Sequence, residues 1–271
     1  MYEMVSENKF GICVLEEWKE FKHDHIMSNG KEMFDFQAPV LTWLPRLNEV
    51  VHMFIVSRFL SPQSIANAFD IIKLCRNNLV FVTIITPTNN KDRNDLKELK
   101  LKTDIFLYVE DEYYENETIT DPVSYAIFTV VMSFDEYIDK DNIRFQGENS
   151  YYAFSQSGSA KLVVFRLYKN DYDKKEELKL SESVAGQVRG KRIGYLLIKS
   201  GDDHRAWRLG RIRDALVEAS GNMLFAGACS IGDANIGKMT WVTAIVSDMD
   251  NPNNSYGDSK NKTVFQRKYF V

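Results

Sequence analysis

Between Gly30 and Gly147 the chain contains no glycine, although this stretch carries the strand, loop, helix and strand pattern of a nucleotide-binding half-domain. The pattern predicts, in order, a buried strand over 51–56, a turn over 57–64, an amphipathic helix over 65–75 and a buried strand over 79–86. Phosphate-binding loops use glycine because their backbone adopts positive φ and approaches the anion closely, which a Cβ atom obstructs. The sequence therefore predicts an α/β scaffold that lacks a phosphate-binding loop.

Length and composition limit the classes of protein that remain. The 271 residues, of which 44% are hydrophobic and 27% charged, suffice for one large domain or two smaller ones. A net charge of −4 gives no general attraction to nucleic acid, so nucleic acid is not the expected partner. Cys13, Cys75 and Cys229 lie far apart in apolar contexts, which predicts reduced core thiols in a cytoplasmic protein. Neither a signal peptide nor an apolar run of about 18 residues occurs, so we expect no membrane span.

The first half continues as an alternation of strands and helices. A βαβ unit over 51–86 implies parallel pairing of its two strands. The remaining predicted segments are a strand at 10–15, an ordered loop over 31–45, an exposed helix over 89–101, a buried strand over 103–109, a helix over 122–132 beginning after Asp121, and a connector over 133–147.

The second half has a different pattern. It predicts strands over 150–154, 160–167, 192–199, 222–230 and 238–247, and a helix over 206–220. We expect the last two strands to form an antiparallel hairpin, because the short turn between them cannot provide a parallel crossover. The predicted domains are an α/β domain over 1–145, an α+β domain over 146–248, and a flexible linker with an aromatic and basic tail over 249–271.

Four runs in the second half follow one another at characteristic spacing. They are 188–198 (VRGKRIGYLLI), 201–203 (GDD), 223–230 (MLFAGACS) and 239–246 (MTWVTAIV). Over about 60 residues this order resembles the C-terminal domain of the FtsZ and tubulin superfamily. The resemblance implies a reduced tubulin/FtsZ-like parallel-sheet domain followed by an α+β C-terminal domain.

Three upstream strands, at 53–56, 79–87 and 103–109, resemble successive strands of FtsZ. FtsZ follows the first of them with the signature "GGGTGTG", whereas this chain has SRFLSPQS at 57–64, in which Pro62 lacks a backbone donor. Arg58, Ser61 and Ser64 are the side chains that could contact an anion there. The departures from the family pattern imply a relative that has lost nucleotide binding, so no cofactor is predicted; GTP is the cofactor only if the loop is a divergent phosphate loop.

An acidic loop of type "NxDFADV" completes the GTP site of the neighbouring subunit in FtsZ. The nearest match here is 133–139 (SFDEYID), in which Asp135 and Asp139 take the acidic positions. Without a nucleotide cradle these residues would have no substrate, and the alternative is a pair of solvated loop carboxylates. We therefore predict no catalytic residue, and no metal site either, because His23 and His25 lack further ligands.

Two segments are candidate partner-binding sites. The C-terminal end resembles in character the terminal FtsZ peptide that docks adaptor proteins, with Phe265 and Tyr269 as anchors beside two cations, Arg267 and Lys268. The alternative is an ordered tail packed on the same protein. Arg208 and Arg211 belong to a basic stripe over 205–213, which is either a solvated helix face or a surface for an acidic partner or phosphate backbone.

Three functional hypotheses follow. The first is a non-catalytic FtsZ/tubulin-like structural or regulatory protein that acts through self-assembly or through contacts with a related filament-forming protein. The second is a GTP-dependent cytoskeletal filament protein with a divergent phosphate loop. The third is a nucleic-acid or anion binding module that uses the basic helix over 205–213.

Overall fold

A computed structural model describes residues 9–16, 33–36, 44–78, 80–110, 122–133, 142–146, 158–168, 178, 180–201, 206–221, 225–232 and 236–248. These residues form two compact units, divided between Ile127 and Phe128. The predicted domain boundaries at 145 and 248 stay predictions.

The first unit is built on parallel strands. They are β1 (Lys9–Val14), β2 (Met33–Asp35), β3 (Val50–Val56), β4 (Phe81–Pro87) and β5 (Ile105–Val109). Their order in the sheet is β2-β1-β3-β4-β5, and each neighbouring pair is parallel. Every residue of β4 and β5 is buried, because a parallel sheet is covered on both faces.

The helices of this unit are α1 (Leu44–Leu47), α2 (Pro62–Asn77) and α3 (Lys97–Lys102), and α4 (Pro122–Ser133) spans the division between the units. Helix α2 begins at a cap in which the Ser61 hydroxyl accepts a 3.2 Å hydrogen bond from the Ser64 N–H. Four buried residues on its inner face join the core of the sheet, namely Ala68, Ile71, Ile72 and Cys75. The predicted βαβ unit is therefore confirmed.

The second unit contains mixed strands. They are β6 (Asn142–Gln146), β7 (Gly158–Tyr168), β8 (Lys191–Ser200), β9 (Phe225–Gly232) and β10 (Met239–Asp248), with helices α5 (Glu182–Val188) and α6 (Ala206–Ser220). The strand order is β7-β10-β8-β9-β6. Only β8 and β9 pair in parallel, joined through α6, and the other neighbours are antiparallel. Ile212 and Leu216 of α6 are buried in the core of this unit.

The predicted hairpin between the last two strands is wrong, because β8 lies between β9 and β10. The connection between them runs from Gly232 to Met239 and crosses two strand spacings, about 10 Å, which its length allows. Gly201, directly after β8, approaches this connection closely: a Cβ atom there would lie 1.7 Å from the carbonyl oxygen of Gly237. The close approach explains why residue 201 is glycine.

Four other segments differ from their prediction. Strand β2 lies within the predicted loop 31–45, since three residues pair with β1, and β6 lies within the predicted connector 133–147, since it pairs with β9. The predicted helix 89–101 is replaced by two 3₁₀ turns, Thr88–Asn90 and Asn94–Leu96, followed by α3. The Asn90 side chain donates to the Thr86 hydroxyl at 2.7 Å, and such local bonds compete with an α-helix. Helix α2 begins at Pro62, so the predicted turn is three residues shorter.

Candidate functional site

The connection between β3 and α2, residues 57–61, is called here the β3–α2 loop. It lies at the carboxyl end of the parallel strands, where open α/β sheets bind their ligands. Strands β1 and β3 are in register with Val14 opposite Val56, and the N–H of Leu15 donates to the Val56 carbonyl at 2.9 Å. This pairing places Glu16 beside the beginning of the loop.

The Glu16 carboxylate accepts hydrogen bonds from five groups at this position. Its Oε2 accepts from the Ser57 hydroxyl at 2.9 Å, the Phe59 N–H at 2.5 Å and the Leu60 N–H at 2.9 Å, and its Oε1 accepts from the Ser61 N–H at 2.9 Å and the Ser64 hydroxyl at 2.7 Å. Three consecutive backbone donors and two hydroxyls therefore converge on one anion. That arrangement is an anion-binding nest at a helix N-terminus.

The electrostatics favour the ionised form of Glu16. Partial burial raises its pKa, but the hydrogen bonds from Ser61, Ser64, Phe59 and Ser57 outweigh burial and lower the pKa to about 2. The positive end of the α2 dipole acts in the same direction. Glu16 is consequently a carboxylate throughout the range of pH in which the protein would function.

Leu60 adopts the positive φ that is usually supplied by glycine in anion-binding loops. Its φ is +48°, and it is the one non-glycine residue with positive φ among those described. The left-handed conformation costs about 1–2 kcal/mol for a residue with a Cβ atom. The Leu60 side chain is 0% exposed, and burying a leucine contributes about 1.5–3 kcal/mol, which offsets this cost. Positive φ in this loop therefore does not require a glycine.

Pro62 does not interfere with the nest. It occupies the first position of α2, where no intrahelical N–H bond is made, and the three backbone donors to Glu16 precede it in the chain.

The carbonyl groups of the loop are held from the opposite side. The Arg93 guanidinium donates to the Phe59 carbonyl at 2.5 Å and to the Leu60 carbonyl at 3.0 Å. The Asn90 amide donates to the Arg58 carbonyl at 3.0 Å. Asp95 holds the Arg93 side chain through two hydrogen bonds. The N–H groups of residues 59–61 and the carbonyl groups of residues 58–60 thus have fixed partners.

Two of the three predicted anion-binding residues lie in this cluster. Ser61 contributes its N–H and Ser64 its hydroxyl, whereas the Arg58 guanidinium packs over the Phe59 ring, 5.4 Å from the ring centroid. Phe59 is 60% exposed, the most exposed large hydrophobic residue among those described. The loop therefore has polar donors on its inner side and an aromatic side chain in solvent.

The sequence interpretation missed Glu16 and Arg93. A signal for Glu16 existed, because it follows a predicted strand, and carboxyl ends of parallel strands lie along one edge of a sheet. A carboxylate there meets the N-terminus of the helix that follows the neighbouring strand. Arg93 had no comparable signal, since its position depends on the 3₁₀ turns that replace the predicted helix.

The other predicted site residues are only partly covered by the structure. Six lie outside the described residues, namely Asp135, Asp139, Phe265, Arg267, Lys268 and Tyr269. Arg208 belongs to α6 but its side chain is outside the description, and Arg211 is half-buried on the same helix. The neighbouring Arg213 forms a 2.7 Å ion pair with Asp214. The basic stripe stays a prediction.

Cys13 and Cys75 are buried thiols in the core, as predicted, and burial raises the pKa of Cys75. Within the described ranges no group of His, Cys, Asp and Glu side chains could hold a metal ion. Among the helices of the described part, none is long and apolar enough to cross a membrane.

Solved structures of FtsZ match this chain over most of its length, so it has the FtsZ/tubulin fold that was expected from the sequence. An empty FtsZ dimer from M. jannaschii matches with a TM-score of 0.61 at 10% identity, covering 91% of this chain and 89% of that one. The W319Y mutant of FtsZ from M. jannaschii matches with a TM-score of 0.59 at 11% identity, covering 89% and 91%. No protein-family model and no curated protein matches the sequence. At this identity the likeness establishes the fold, and the function has to be argued from the site.

Proposed function

We propose that this protein is an FtsZ/tubulin-like structural or regulatory protein that acts through self-assembly or contacts with a related filament-forming protein, without nucleotide turnover. The observation that carries the proposal is the Glu16 carboxylate in the nest of the β3–α2 loop. The likeness to FtsZ supports an assembly role. From the sequence resemblance, the glycine signature of FtsZ is expected at this loop, where the chain has SRFLSPQS at 57–64.

A phosphate group would need the donors that Glu16 already occupies. The three backbone N–H groups of the loop lie 2.5–2.9 Å from the carboxylate oxygens, which leaves no space for a second anion between them. A phosphate brought close to this carboxylate would also be repelled by its charge. Both effects favour a loop that does not bind nucleotide.

The solvent-facing side of the β3–α2 loop, which carries Phe59, supports a role in contacts with another protein. Phe59 is 60% exposed on a backbone held by Glu16 and Arg93, so little conformational entropy would be lost when it enters a partner surface. Exposed aromatic residues on rigid supports are frequent anchors of interfaces. Docking of an adaptor through the terminal residues Phe265, Arg267, Lys268 and Tyr269 remains a further part of the proposal.

The experiment is GTP titration of the purified chain, followed by electron microscopy with and without GTP. We expect no saturable GTP binding, and filaments or rings whose abundance does not depend on GTP. Phe59→Ser should reduce assembly, whereas Leu101→Ser, at a residue 39% exposed on α3, is the matched control and should not.

Saturable GTP binding with turnover would overturn the proposal. It would support a GTP-dependent filament protein with a divergent phosphate loop, and Asp135 and Asp139 would then be the residues to test for hydrolysis. If the protein stays monomeric under all conditions and does not bind a related filament protein, the assembly role is excluded.

A further inference from the structure

The β3–α2 loop carries the donor set of an oxyanion site. Three consecutive N–H groups, from Phe59, Leu60 and Ser61, point to one carboxylate group and not to separate acceptors. The hydroxyls of Ser57 and Ser64 add a donor to each carboxylate oxygen. A tetrahedral oxyanion such as phosphate accepts hydrogen bonds from the same kinds of donors.

The contacts that shape this loop do not all come from Glu16. Arg93 and Asn90 hold its carbonyl groups, and the Ser57 N–H donates to the Ile85 carbonyl of β4 at 3.1 Å. The buried Leu60 side chain fixes the residue with positive φ. The donors should therefore stay converged when the carboxylate is removed.

Glu16 reaches the site from a distant part of the sequence and is held there by the sheet. It follows β1, whose pairing with β3 continues to the bond between the Leu15 N–H and the Val56 carbonyl. A ligand held this way competes as an intramolecular group, with an effective concentration of millimolar or more. Free anions at millimolar concentration would not displace it.

We propose that the β3–α2 loop is an oxyanion-binding site whose resident ligand is the chain's own Glu16 carboxylate, which excludes external phosphate. The tethered carboxylate holds the loop in its liganded arrangement permanently. If occupation of the loop by Glu16 is taken to explain assembly without nucleotide, the explanation rests on the proposed function. The oxyanion site itself is tested by anion binding alone.

The test uses the full chain with the substitution Glu16→Ala and inorganic phosphate as the probe, against chloride at equal ionic strength. The unfolding midpoint of this variant should rise saturably with phosphate, by roughly 2–4 °C at concentrations well above the dissociation constant. Amide hydrogen exchange at residues 59–61 should be fast in the variant and slow again in phosphate. The wild type and the control Glu98→Ala, at an exposed residue of α3, should respond to phosphate no more than to chloride.

A second substitution assigns the phosphate effect to this loop. Adding Ser64→Ala to Glu16→Ala removes one hydroxyl donor and should raise the half-saturating phosphate concentration about tenfold. If Glu16→Ala does not fold in chloride, recovery of the folded protein on refolding in phosphate is the supporting result, and failure to recover overturns the proposal. An equal phosphate response in the wild type, or none in Glu16→Ala, also overturns it. GTP turnover by the wild type would instead contradict the proposed function, whatever the phosphate response of the variant.

Discussion

Replacing Glu16 by glutamine should destabilise the first unit measurably at neutral pH. The substitution keeps the size of the side chain but replaces one acceptor oxygen by an NH₂ group, which then faces donors of the β3–α2 loop. The fall in the pKa of Glu16 from 4.5 to about 2 corresponds to roughly 3 kcal/mol of preference for the ionised form. Because the carboxylate is partly open to solvent, screening reduces this figure, and we expect a loss of about 1.5–2 kcal/mol.

The pH dependence gives the prediction a second, independent signature. A carboxyl group whose pKa is lowered by folding contributes fully above its unfolded value of 4.5, and its contribution is lost as the pH falls toward about 2. The difference in unfolding free energy between wild type and Glu16→Gln, from urea titrations at several pH values, should therefore shrink by more than half between pH 7 and pH 3. A difference below about 0.5 kcal/mol at pH 7, or one that does not change with pH, would refute the reasoning.

Further predictions concern two glycines of the second unit and one buried histidine of the first. Gly201→Ala should lower the free energy of unfolding by at least about 2–3 kcal/mol. The new Cβ atom would lie 1.7 Å from the Gly237 carbonyl oxygen, so the backbone would have to move. Gly186→Ala is its control and should stabilise α5 by about 0.5–1 kcal/mol, since nothing lies within 4 Å; urea unfolding measures both. Burial lowers the pKa of His52 to about 3, where its Nε2 lies 2.8 Å from the Thr83 hydroxyl oxygen. The ring should therefore stay neutral in NMR titrations down to pH 4, and its contribution to stability should decline as the pH falls below 6.5, where the unfolded chain becomes protonated.

Regular, strongly apolar segments were predictable from the sequence. The runs that became β3, β4 and β5 were recognised because parallel strands buried on both faces read as continuous apolar segments. Helix α6 was predicted with its observed bounds because its apolar spacing is helical. Strand β2 has three residues and exists through its pairing with β1, which no local pattern encodes. The same holds for the separation of β9 from β10, since β8 enters between them from an earlier part of the chain.

The two serines of the candidate site were predicted from the sequence, but Glu16 and Arg93 were not. Ser61 and Ser64 could be found because they lie only three positions apart in sequence, at the beginning of an evident helix. Their main partner could not be found in this way, since the bond from the Ser64 hydroxyl to Glu16 joins residues 48 positions apart. Linking them needed the parallel pairing of β1 with β3, which is a property of the sheet. Arg93 depended likewise on a tertiary contact with the Phe59 carbonyl.

The absence of glycine has a physical meaning different from the one that the sequence suggests. Glycine permits positive φ and lets a large external anion approach the backbone from any direction. Leu60 provides the positive φ with a buried side chain, and the anion here is a carboxylate brought to the donors by its own strand. A carboxylate is smaller than a nucleotide phosphate chain and arrives along one fixed path, so Cβ atoms elsewhere in the loop are tolerated. The loop can thus keep the hydrogen-bonding pattern of anion recognition while the glycines required for a diffusing nucleotide are dispensable.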